Sequence, residues 1–123
     1  MIKKITLGIS LFISTLILST SAFAKKVEKS PVMRNGLYYE HLSPNLANGT
    51  YEKYYANGRL LVLYTYKNGK EDGINKMYYP NGQLFQSSTY KDGKLDGLTE
   101  IYYSDGTLES KCFYVNGKKY ECE

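Results

Sequence analysis

The residues able to do chemistry in this chain are few. The sole histidine is His41. One histidine with no neighbouring cysteine or carboxylate cluster does not build a metal site. The serines lack a Gly-x-Ser-x-Gly setting. Asp72, Asp92, Asp96 and Asp105 each sit in or beside glycine-containing turns, where aspartate serves the backbone. Glu71-Asp72 is an adjacent acidic pair, but the glycine-rich calcium nonapeptide of secreted β-rolls is missing. No phosphate-cradling loop is present, and the Asn48-Gly49-Thr50 sequon falls in a glycine turn and reads as coincidence. The expectation is no catalytic residue, no metal ligand, no cofactor and no enzyme.

Cys112 and Cys122 are the only cysteines. An even pair in an exported protein reads as a disulfide. The two flank Asn116-Gly117, so a bridge would staple the last hairpin. A two-residue turn pairs 115 with 118 and sends the cysteines to opposite faces. A three-residue loop at 116–118 sets them directly opposite. The sequence leaves both open, along with a free pair.

Binding chemistry is better represented. Tyrosine supplies 14 of 123 residues, with four phenylalanines and no tryptophan. Tyrosine buries a ring while its hydroxyl stays wet, and it favours strands. Its placement is periodic: Tyr54-Tyr55, Tyr78-Tyr79 and Tyr102-Tyr103 step by 24 residues. Adjacent strand residues face opposite ways, so only one of the series Tyr54, Tyr78, Tyr102 and Tyr55, Tyr79, Tyr103 lines a given face. These six are the candidate binding surface. Tyrosines that only hold the sheet together are the plainer reading.

The elements that position them repeat in the same register. Gly58, Gly82 and Gly106 follow the tyrosine pairs, and Leu60, Leu84 and Leu108 come next. Tyr66, Tyr90 and Tyr114 precede Gly69, Gly93 and Gly117, while Gly49, Gly73 and Gly97 open each unit. A period of this length means stacked supersecondary units. In one unit, Ile74 to Tyr79 is β-prone, Pro80-Asn81-Gly82 is a tight turn, Gln83 to Tyr90 is a second strand, and Lys91 to Gly97 is a wider turn. Alternation puts Leu60, Val62, Tyr64 and Tyr66 on one face, with Leu61 and Leu63 opposite. Helical periodicity is absent from residue 25 onward. The expected fold is all-β: an antiparallel meander of hairpin repeats forming a single-layer elongated sheet. Residues 49–72, 73–96 and 97–120 are the repeats, 34–48 a degenerate cap, and 25–33 a flexible lead.

The first 24 residues read as a cleaved secretory leader. Lys3 and Lys4 precede an apolar run from Ile5 to Leu18, and Ala22-Phe23-Ala24 ends it with a small-x-small site. The run is short for a bilayer span of about 20 residues, and no second one follows. Cleavage after Ala24 leaves a secreted or periplasmic chain with no integral span. Without Lys3 and Lys4 the 16 basic residues fall to 14 against 12 acidic, scattered in sign. Nucleic acid is not an expected partner.

The pattern G-x-x-x-x-Y-Y-x-(N/D)-G-x-L followed by Y-x-(N/D)-G-K resembles the bacterial variant of the MORN repeat, found in proteins grouped as YwqK-type antitoxins. The resemblance spans about residues 34–120. It implies an antiparallel meander with a hairpin per repeat, and an interaction role rather than an activity. Glucan- and cell-wall-binding repeats share Tyr-Tyr and Asn-Gly elements but lean on tryptophan. The expected function is therefore an exported, non-enzymatic protein-interaction module. A cell-wall or carbohydrate binder is the first alternative, and an immunity-like partner of a toxin the second.

Overall fold

The computed structural model describes residues 30–123; the leader 1–24 and residues 25–29 of the lead lie outside them. Ten strands account for the regular structure: β1 (Val32–Arg34), β2 (Leu37–Tyr39), β3 (Gly49–Tyr54), β4 (Leu60–Lys67), β5 (Lys70–Glu71), β6 (Gly73–Tyr78), β7 (Leu84–Lys91), β8 (Lys94–Tyr102), β9 (Leu108–Val115) and β10 (Lys118–Cys122). β1 and β2 form a small hairpin sheet. The rest is one antiparallel sheet in the order β10-β9-β8-β7-β6-β4-β3, with β5 continuing onto β4. The described chain is thus an all-β meander without helices. The flexible lead set at 25–33 must be shortened: Val32 and Met33 pair with Tyr39 and Tyr38.

The two turn classes exchange the roles read from the sequence. Asn68-Gly69, Asp92-Gly93 and Asn116-Gly117 carry positive φ at both residues, near 50° and 80°. That is a two-residue type I′ loop, whose twist matches the strands it joins. The turns after the tyrosine pairs are wider. Gly58 N–H donates to the Tyr55 carbonyl and Tyr55 N–H to the Arg59 carbonyl, at 2.9 and 2.8 Å, and the same bonds recur at 79–83 and 103–107. Only the glycine has positive φ there. This is a type I turn closed by a left-handed glycine. Asn57, Asn81 and Asp105 act by accepting the N–H two residues on, from Arg59, Gln83 and Thr107.

A bulge beside each of these turns interrupts the alternation. Lys53 pairs with Val62 but Tyr54 with Leu60, and the slip recurs at Tyr78–Leu84 and Tyr102–Leu108. The extra residues are Leu61, Phe85 and Glu109. Strict alternation therefore carries the shared face from Val62 through Tyr64 to Tyr66 and stops short of Leu60.

Repeats are bonded to one another beyond the ladder. The N–H groups of Gly69, Gly93 and Gly117 donate to the carbonyls of Ala47, Glu71 and Leu95 at 2.8–2.9 Å, stacking the type I′ turns. Asn57 Nδ2 reaches the Pro80 carbonyl and Asn81 Nδ2 the Ser104 carbonyl. The cap hangs on the first of these turns, with Tyr38 N–H donating to the Gly69 carbonyl.

The last strand departs from the repeat for a definable reason. Gly73 and Gly97 open their units at φ near +120°, a region closed to L side chains. The equivalent position is Glu121. β10 instead slips its register by Tyr120 alone, between Lys119 and Glu121. The hairpin keeps the two-residue turn, pairing Lys118 with Val115, and still sets Cys122 opposite Cys112. A bulge thus reconciles the alternatives left open by the sequence. The two cysteines are bridged, with Cα atoms 4.0 Å apart.

Burial is thin. Among the described residues the buried ones are Ala47, Val62, Tyr66, Gly69, Asn75, Ser88 and Thr99, and no large side chain is fully enclosed. With no second layer over the sheet among the described residues, hairpin pairing and side-chain contacts along one face carry the stability.

Candidate functional site

Direct pairs assign the two faces. Val62, Met77, Gln86, Ile101 and Ser110 form one row across the sheet. Asn75, Ser88, Thr99, Cys112 and Cys122 form the next. Tyr64, Tyr66, Tyr90 and Tyr114 complete this inner face, which holds nearly all the buried residues. The outer face carries the row Glu52, Leu63, Lys76, Ser87, Glu100 and Lys111.

The inner face is occupied with itself. Tyr66 packs against Tyr38 at 4.7 Å between ring centroids and edge-on to Tyr51 at 5.7 Å. Glu71 is half-buried beneath this cluster. Burial raises its carboxyl above the ordinary value, and the Asn75 Nδ2 donor at 2.9 Å offsets part of the rise. Burial, with Glu71 and neighbouring phenols nearby, also raises the Tyr64, Tyr66 and Tyr90 hydroxyls. Asn75 is a structural polar group: its Oδ1 accepts from Thr65 N–H at 2.8 Å. Its equivalent one repeat later is the shorter Thr99, whose buried hydroxyl has no partner among the described residues.

The six candidate tyrosines separate into two chemical sets. Tyr55 and Tyr79 donate their hydroxyls at 2.7 Å to the carbonyls of Tyr78 and Tyr102, one repeat on. Tyr79 also packs on Phe85 at 5.1 Å. These rings rivet repeat to repeat. Tyr103, third in the series, is 50% exposed. Tyr54, Tyr78 and Tyr102 stand two residues beyond Glu52, Lys76 and Glu100 on the outer face. The hydroxyls of Tyr54 and Tyr102 donate to Glu52 and Glu100. Sequence periodicity found both series but could not tell rivet from surface, because the hydroxyl acceptors lie 23 residues away.

Across the charged row from the outer tyrosines lies a stripe the sequence reading did not single out. Ile74, Leu98 and Phe113 are 49%, 40% and 43% exposed. Ile74 pairs with Thr89, and Leu98 with Phe113. The 24-residue step from Ile74 to Leu98 was the available signal. Among the described residues no group of three or more histidines, cysteines or carboxylates could hold a metal ion. No helix there is long and apolar enough to cross a membrane.

The family described as the MORN repeat variant matches residues 47–68, 71–92 and 95–116. These segments cover more than half the chain and coincide with the three hairpin units, so the chain belongs to that family. Repeats of this kind are used in binding. No curated protein and no solved structure matches the chain.

Proposed function

We propose that the chain is an exported, non-enzymatic interaction module whose partner is a protein docked on the outer face of the sheet. The carrying observation is the exposed apolar set Ile74, Leu98 and Phe113 on the outer face, bordered by a row of both charge signs beyond which stand Tyr54, Tyr78 and Tyr102. Apolar centres with tyrosine and a polar margin suit protein recognition. Export is supported by the Lys3-Lys4 start, the apolar run and the Ala22-Phe23-Ala24 end, and by the Cys112–Cys122 bridge. A carbohydrate partner is less well served, because the inner tyrosines pack tilted and edge-on against one another rather than presenting free ring faces.

The test places a photoreactive benzoylphenylalanine at Leu98 in the chain expressed in its native host. A crosslinked protein of defined mass, absent when the probe sits at Thr99 on the inner face, is the expected result. Crosslinks to wall polymer alone, or none from Leu98, would overturn the reading.

A further inference from the structure

Among the described residues the large sheet ends in two open edges, β10 and β3. β3 pairs with β4 on one side, and among the described residues no strand pairs its other side. β6 and β8 hold the same place in the second and third repeats, and each takes a strand there: β4 on β6, and β7 on β8. The cap does not fill the place on β3, since its hairpin is bonded to the Gly69 turn. β3 therefore presents backbone donors and acceptors in a geometry the chain uses twice for pairing.

We propose that the β3 edge is a strand-addition site for an extended segment of a partner protein, running antiparallel to β3 with a basic residue opposite Glu52. The register follows from the repeat. Gln86, Ser87 and Ser88 oppose Ile101, Glu100 and Thr99, whose equivalents on β3 are Lys53, Glu52 and Tyr51. An incoming strand thus meets Lys53, Glu52 and Tyr51 in that order. Opposite charges directly across a pair stabilise it, and like charges oppose it. The chain's own β9 has the matching chemistry, with Ser110-Lys111-Cys112 at these positions. It is held elsewhere: Lys111 exchanges both backbone bonds with Glu123, and Cys112 is bridged to Cys122. A second copy of β3 does not supply the cation. With faces kept, Glu52 meets only Thr50, Glu52 or Tyr54 of the other copy. Neither of these segments fits, so the occupant is assigned to a strand from another protein, bonded to the backbone edge of β3 while its basic residue meets the Glu52 end of the outer face's charged row.

The probe is a labelled peptide copying residues 108–115 with serine in place of Cys112, titrated into the whole chain. Saturable binding is expected, with slowed amide exchange confined to β3. A peptide with Lys111→Glu should bind about three- to tenfold more weakly. The Glu52→Lys chain should reverse that order of preference while keeping its melting temperature. No saturable binding, protection at β9 and β10 or on the outer face, or indifference to the charge swap would overturn the proposal. So would a dimer of the chain alone protected at β3. The Leu98 crosslink is read separately, so loss of one site leaves the other standing.

Discussion

At the scale of single residues, Glu71 is the group whose environment makes a measurable demand. Its carboxyl is raised by burial under the tyrosine cluster, from an ordinary value of 4.5. The folded state then binds the proton more tightly than the unfolded chain does. The stability this lends is full below pH 4.5 and is lost as pH rises through the folded value. Glu71→Gln keeps an oxygen for the Asn75 Nδ2 bond and removes the titration. Denaturant unfolding at pH 4 and pH 7 should show the parent losing more stability than Glu71→Gln over that interval. Equal losses would show that Glu71 ionises as though exposed. Thr99 makes the related point that a repeat can keep a position and lose its chemistry. Asn75 accepts from a backbone N–H, while the Thr99 hydroxyl has no partner among the described residues.

Hairpins and their junctions decide how much was legible. The strands, the repeat period and the turn glycines follow from residue type, because Asn-Gly, Asp-Gly and alternating Tyr, Leu and Val act locally. The turn classes did not follow. Asn57-Gly58 and Asn68-Gly69 are the same dipeptide, yet only the second has both residues at positive φ. The difference lies in bulges that sum over two strands and leave no local mark. The cysteine pairing was hidden for the same reason, since it needs the Tyr120 bulge. That bulge in turn depends on Glu121 where earlier repeats have glycine. Gly97 shows what the glycine does. Its φ is +120°, and an added Cβ would lie 3.1 Å from Thr89 Cβ. Gly82 has φ +90° and meets nothing nearer than 3.9 Å. Gly82→Ala should therefore cost about 1 kcal/mol from backbone strain alone, and Gly97→Ala about 2 kcal/mol or more. Chemical unfolding of the two variants checks the order; the reverse order would show that crowding at Thr89 is relieved without cost.

Taken whole, the described chain is dominated by one large sheet with two unlike faces, beside the small β1–β2 hairpin. The inner face spends its side chains on the fold, through Val62, Tyr66, Asn75 and Ser88. The outer face leaves apolar and aromatic groups in solvent beside charges of both signs. A thin repeat sheet is held by neighbour contacts, so groups that join repeats should govern stability and groups that join none should be free for a partner. Tyr78 and Tyr79 are adjacent in sequence and differ in this one respect. Tyr79 bonds the Tyr102 carbonyl and packs on Phe85, whereas Tyr78 projects to the outer face. The most direct measurement compares Tyr78→Ser with Tyr79→Ser, each by thermal melt and by retention of the envelope partner captured at Leu98. Tyr79→Ser should lower the melting temperature by about 10 °C, from the loss of a hydrogen bond and a ring contact. Tyr78→Ser should stay within about 3 °C of the parent and lose retention. If Tyr78→Ser keeps retention, or if both variants lose stability equally, the division into a scaffold series and a binding series is contradicted.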